Sequence, residues 1–364
     1  MNLRTLPPSP RPTLVDSLSS LVTLLDTIKD PYYAAEIRQT WLEWGPIVLP
    51  VVPDIKQAGI DYHIVSPEEE PIACEPGSNR YSIFDDYKTP EYMNEILQAF
   101  APDVAAPRQL SARNYIQSDF DLPFVFKDTE SNRGENKFLI ESETQARKLK
   151  RFLGRLVGGG YDVKDLLLEE YIETPGDQST SYRYTMTPTG SIVAVTLLAA
   201  GNVGDHKIQS QDVTGVFREL ASDESLYNLD SRSITSNTDA GRTDIGLDFN
   251  GRNLELKGLT GQQRTILETH GIDPLTRRAP ESITRTAGKV ANTLGPSVGL
   301  IVGIDLLQQA SDAGVPYFVE INSLPSTRNI NASLHPRAKQ LSHDALNRLG
   351  LTMTIRDLAI AAKR

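Results

Sequence analysis

The chain is poor in sulphur and imidazole. A single cysteine, Cys74, excludes an intrachain disulfide and a zinc site built on cysteines. With only five histidines, a bound metal is expected to be a hard cation held by oxygen. No run of Lys or Arg occurs, and the net charge is −10. That balance argues against general nucleic-acid binding, which needs cations to displace phosphate counterions. It argues equally against a polybasic membrane contact. No apolar run reaches the roughly 18–20 residues of a membrane-spanning helix; the longest, Ile192 to Ala200, is strand-sized. The opening MNLRTLPPSPRPT carries charge but no apolar stretch behind it, so no secretory signal is expected and the expected compartment is the cytoplasm. Hydrophobic residues at 39% and charged residues at 23% exclude bulk disorder. A length of 364 residues can bury a large core without disulfide or metal staples, divided among two or three domains.

Residues 1–12, with four prolines, read as a flexible leader. Residues 13–110 read as an α/β N-terminal domain. Leu14, Leu18, Leu21, Leu25 and Ile28 form one helical stripe, and Asp30-Pro31 opens a second helix that Gly45 stops. Strands are expected over 46–52, 60–65 and 103–110, a loop over 66–86 and a helix over 90–100. No GxGxxG motif marks a dinucleotide site. Residues 111–175 form a second unit. Its LPFVFKD strand (122–128), a polar loop TESNRGENK and a strand over 138–140 make a hairpin. Ser142 and Gln145 form a capping box for a helix that three glycines end near 158. The strand LLLEEYIE follows (166–173). Residues 176–364 hold a hairpin (181–187 and 191–198) and helices near 261–270 and 281–294, the second closed by Gly295 and Pro296. Strands are expected over 298–307 and 316–321, with tail helices over 334–349 and 353–362. A polar insert around 202–260 is open to two readings, a substrate lid or a disordered segment.

Chemistry concentrates in a few apolar strands. GIDLL (303–307) buries Asp305, and FVEIN (318–322) carries Glu320 with Asn322 on the same face. A carboxylate in such surroundings must be paired or bound to a cation. Two carboxylates and an amide oxygen on neighbouring strands suit Mg²⁺; arginines pairing with both acids would satisfy the same spacing. Lys127, ending the PFVFK strand, could meet an anion or snorkel to solvent. His206, His335 and Cys74 have no partner in the sequence that marks them for catalysis.

Taken in chain order, PFVFKD, the capped helix, LLLEEYIE, the Arg183 hairpin, VGIDLL and YFVEINSLPS resemble the ATP-grasp superfamily. The glutathione synthetase and ribosomal-protein glutamate ligase branch looks nearest, over roughly residues 105–330. The resemblance implies an α+β ATP-grasp fold preceded by an α/β domain, and it favours the cation reading of Asp305 and Glu320. It implies ATP and Mg²⁺ as cofactors, with two ions and Mn²⁺ as an alternative metal. Lys127 would touch the nucleotide phosphates. Glu169, Glu170, Tyr171 and Ile172 would hold adenine, with Glu170 or Asp177 on the ribose. Arg183 would reach the γ-phosphate, and Asp305, Glu320 and Asn322 would ligate magnesium. Arg328 stands where this branch binds a substrate carboxylate. The implied reaction joins an amino-acid or peptide-like carboxylate to an amine through an acyl phosphate, releasing ADP and phosphate. A phosphotransferase or a nucleotide-binding regulator on the same scaffold are the alternatives. A homodimer is compatible with the superfamily. The chain departs from the pattern in its loop after Lys127, which holds one glycine, Gly134; Arg133 or Lys137 could replace backbone contacts there. Upstream, only Arg113 offers the second basic residue the family carries.

Overall fold

The computed structural model describes residues 90–128, 137–176, 179–200, 215–222, 243–249, 258–299, 301–311 and 315–322. It also describes two short strands before them and isolated helical residues nearer the termini. The expected leader, the first two helices, the 46–52 strand and most of the tail helices lie outside these residues.

Strands β1 (Asp61–Ile64) and β2 (Arg80–Phe84) pair in parallel. The second is a correction, because the sequence reading makes 66–86 a loop. Pro and Gly around RYSIF mask a strand whose hydrogen bonds come from a partner remote in the chain. Helix α1 (Pro90–Phe100) follows as expected. Strand β3 is only Gln109–Ser111, shorter than the expected 103–110. Pro102 and Pro107 have no N–H to sustain a ladder. The residues between them make one isolated bridge, Ala105 to Tyr317.

The chain continues through α2 (Ala112–Gln117), β4 (Phe124–Asp128), β5 (Lys137–Ile140), α3 (Glu143–Gly158) and β6 (Leu166–Glu170). The capping box at the start of α3 is present: Gln145 N donates to Ser142 Oγ at 3.3 Å, and Ser142 N donates to Gln145 Oε1 at 3.0 Å. Next come β7 (Thr180–Met186), β8 (Ile192–Ala199), a 3-10 turn (Gly215–Phe217), α4 (Arg218–Ser222) and β9 (Thr243–Gly246). Helices α5 (Gly261–Thr269) and α6 (Glu281–Val298) lead to β10 (Val302–Gln308) and β11 (Pro316–Asn322).

Helix α6 does not stop at Gly295 and Pro296, as the sequence suggests; it runs through both. Pro296 lies in the last turn, so the N–H it lacks costs one hydrogen bond only at the helix end. Gly295 is required by packing, since a Cβ there would sit 2.8 Å from Pro188 Cα. The helix therefore takes the start of the expected 298–307 strand.

Two antiparallel sheets result, making the fold α+β. One has the order β3-β6-β4-β5, the other β11-β10-β7-β8-β9. Each buries one face in its own core. Phe124, Phe126, Phe138, Ile140 and Leu168 of the smaller sheet pack against Leu149, Phe152 and Leu153 of α3. Tyr182, Tyr184, Val302, Ile304 and Phe318 of the larger sheet pack against Ile283, Ala287, Val290 and Leu294 of α6. Side chains alternate along a strand, so the residues between these turn to the opposite faces.

The insert after β8 contributes to both units. Strand β9 extends the larger sheet beside β8. Phe217 and Leu220 join the core of the smaller one, where the Phe217 ring lies 6.1 Å from Phe126 and 6.2 Å from Phe152. Among the described residues, no helix is long and apolar enough to cross a membrane.

Candidate active site

Residues on the open face of the larger sheet form one line of register partners: Glu320 on β11, Asp305 on β10, Arg183 on β7 and Thr196 on β8. The line depends on a bulge. Asp305 pairs with Glu320 but Leu306 pairs with Phe318, leaving Val319 as the extra residue. In a regular strand Phe318 and Glu320, two residues apart, would share a face. The bulge sends Phe318 into the core, 2% exposed, and leaves Glu320 outward with 45% of its side chain accessible.

Arg183 ties the acids together. Its Nε donates to Asp305 Oδ1 at 2.6 Å, its terminal nitrogen bonds the other Asp305 oxygen, and the same nitrogen lies 3.4 Å from Glu320 Oε1. Asn322 Nδ2 donates to Glu320 Oε1 at 3.0 Å. Burial pushes the Asp305 carboxyl up to about 6, against the pull of Arg183. Burial also acts to raise Glu320, but Lys137, Arg183 and hydrogen bonds outweigh it and hold that carboxyl at about 2. Desolvation opposes the Arg183 charge, yet Asp305 and Glu320 keep the guanidinium firmly protonated. Asp244, on β9, adds a weaker attraction to the same guanidinium.

The smaller sheet supplies the opposing cations. Lys127 and Lys137 are cross-strand partners on β4 and β5. Phe126 and Phe138 beside them enter the core, so both lysines belong to the other face. Lys127 Nζ lies 2.6 Å from Glu169 Oε2, and Gln109 Nε2 donates to that same oxygen at 2.8 Å. Lys137 is half-buried, and its ammonium makes no hydrogen bond among the described residues. Desolvation lowers its pKa, while the attraction of Glu320, Glu169 and Asp305 opposes that shift. Lys137 of the smaller sheet thus lies within electrostatic reach of Glu320 and Asp305 of the larger one, with Glu169 and Arg183 contributing the opposite charge on each side.

Other residues singled out in the sequence have different surroundings. Glu170 accepts from the Arg108 backbone N at 3.2 Å and pairs with its guanidinium at 3.4 Å. Tyr171 N donates to Pro123 O at 3.3 Å, and Ile172 is buried. Arg113 is exposed on α2. Asp177, Arg328 and Arg133 lie outside the described residues, as does the rest of loop 129–136. Sequence reasoning missed Gln109 and Asp244. Neither has a local signal: each reaches the site only through strand pairing with β6 and β8 respectively.

Asp305, Glu320 and Asn322 are an all-oxygen donor set, given the Asn322 amide turned to present Oδ1. They fit a hard cation, though Arg183 would have to share or release Asp305. Among the described residues, no group of three or more His, Cys, Asp or Glu is assembled to hold a metal.

No protein-family model matches the chain, and no curated protein does so. Solved structures do align with it. D-cycloserine synthetase is 12% identical, covers 84% of this chain and 93% of its own, and superposes with a TM-score of 0.41. D-alanine–D-alanine ligase from Bacillus anthracis is 14% identical over 74% of this chain and 68% of its own, with a TM-score of 0.37. L-amino acid ligase from Bacillus licheniformis is 11% identical over 71% of this chain, with a TM-score of 0.37; the match spans 47% of that enzyme's length. Superposition at this level is too loose to transfer a fold family or an activity.

Proposed function

We propose that the chain is an ATP- and Mg²⁺-dependent ligase of the ATP-grasp kind, joining an amino-acid or peptide-like carboxylate to an amine. One observation carries this reading: Asp305, Glu320 and Asn322 cluster on the larger sheet, and Lys137 of the smaller sheet lies within electrostatic reach of Glu320 and Asp305. Such an arrangement suits a polyphosphate, whose charge needs cations on both sides and a donor set for its metal.

Asp305, Glu320 and Asn322 would hold Mg²⁺, which supplies charge neutralisation at the phosphates. Lys127, Lys137 and Arg183 place fixed positive charge where negative charge develops. Adenine and ribose would lie along the β6 exit, at Glu169, Glu170, Tyr171 and Ile172, with Asp177 as the second ribose candidate. A carboxylate resists attack by an amine until it has a leaving group. Transfer of the terminal phosphoryl group of ATP to the carboxylate oxygen releases ADP and creates one. Attack of the amine on the acyl carbon then expels inorganic phosphate and forms the amide. Water would destroy the acyl phosphate, so the site must exclude it during reaction. Arg328 is the candidate anchor for the substrate carboxylate.

The test is product analysis with Mg-ATP and pooled amino acids, small peptides and dicarboxylates, beside the Glu320→Gln protein. The ligase requires ADP and phosphate that depend on the pool and disappear in the variant. Phosphorylated acceptor without free phosphate would replace it with a phosphotransferase. Undiminished turnover in Glu320→Gln would remove Glu320 from the site.

A further inference from the structure

We infer that Lys137, rather than Lys127, is the cation of the smaller sheet that grips the outer phosphates of the nucleotide. The inference rests on the nucleotide reading above and assigns a specific residue within it.

The two lysines are register partners on adjacent strands and share one face of the sheet, yet their surroundings differ. Lys127 is already matched. Its ammonium makes a 2.6 Å ion pair with Glu169, and both side chains are largely buried, 14% and 10% exposed. Gln109 fixes the same carboxylate oxygen at 2.8 Å. Drawing Lys127 onto a phosphate would leave Glu169 buried beside a neutral amide, which is costly. Lys137 has no such anchor among the described residues. The strongest attraction on it comes from Glu320, on the facing sheet. Of the two lysines it is therefore the one left free to meet the outer phosphates of a triphosphate bound at the metal candidates.

Its position also answers the shortage of glycine in the preceding loop, TESNRGENK. A glycine-rich loop offers phosphate a row of backbone N–H groups. A lysine closing the loop offers a mobile charge instead, with three donors and a long reach.

Calorimetric titration of the full chain with Mg-ATP, Mg-ADP and AMP tests the assignment. The proteins compared are unmutated, Lys137→Met, Lys137→Arg and Lys127→Met. Lys137→Met keeps the stem and removes the charge. It should weaken ATP about tenfold or more, the loss of a charge-assisted contact, weaken ADP less, and leave AMP unchanged. Lys137→Arg should recover most of the ATP affinity. Lys127→Met should lower the melting temperature more than Lys137→Met does, because it strands Glu169. Unmutated protein that binds ATP while Lys137→Met binds it within twofold would overturn the assignment alone. Equal losses for ATP and AMP would also overturn it, since they report general damage. Failure of the unmutated protein to bind any of the three would overturn the nucleotide reading and this inference with it.

Discussion

Asp305 and Glu320 stand opposite each other, yet their surroundings drive their protonation apart. Burial raises Asp305 from 3.8 to about 6, so folding takes up a proton there as pH falls. Its stabilising share is full below about 3.8 and is lost as pH rises through about 6. Glu320 acts in the opposite sense. Held near 2 against an ordinary 4.5, its share is present above about 4.5 and lost as pH falls through about 2. Comparing melting temperatures between pH 7 and 5 isolates the first effect. Relative to Asp305→Asn, the unmutated protein should gain stability on acidification; parallel curves would mean that Asp305 is not raised. This acid pair was legible in the sequence because carboxylates are conspicuous in apolar strands. Its coupling to Arg183 was raised only in general form, as arginines pairing with the acids. The Lys127–Glu169 pair was not legible at all, since only the register of β4 on β6 brings those residues together.

Local chemistry marked the elements well where the signal lay within a turn. The Ser142 box opens α3, and Ser142→Ala should cost about 1 kcal/mol in chemical denaturation. Non-local packing hid others. Gly295 reads as a helix stop, but it is the point where α6 touches the β7–β8 turn at Pro188. Gly295→Ala should therefore destabilise by about 1–3 kcal/mol, although alanine is the better helix former. A neutral or stabilising result would show that the turn can give way. The Val319 bulge was invisible for a similar reason: plain alternation along FVEIN puts Phe318 and Glu320 on one face, and only pairing with β10 reveals the extra residue. Deleting Val319 removes the unpaired residue and leaves a regular ladder, so the protein should still fold with Phe318 inward and Glu320 outward, as Val319→Ala should. A deletion protein that cannot fold would contradict this register.

Among the described residues the two antiparallel sheets each carry their own core, and the insert contributes to both. The order of strands along the chain foreshadowed this, but the insert's placement did not follow from its polar composition. Two apolar residues, Phe217 and Leu220, dock the 215–222 part of it on the smaller core, with an Arg155–Glu219 ion pair at the edge. Phe217→Ala should cost about 3–5 kcal/mol, read by denaturant unfolding; a loss below 1 kcal/mol, roughly that of a surface change, would mean the insert does not hold that core together.

The central claim is that the site shared by the two sheets takes a magnesium–triphosphate. Titrating ATP into the unmutated and Glu320→Gln proteins, each with and without Mg²⁺, tests it most directly. The account predicts that Mg²⁺ strengthens ATP binding to the unmutated protein and has little effect on the variant. Binding that ignores both Mg²⁺ and the Glu320 substitution would contradict it.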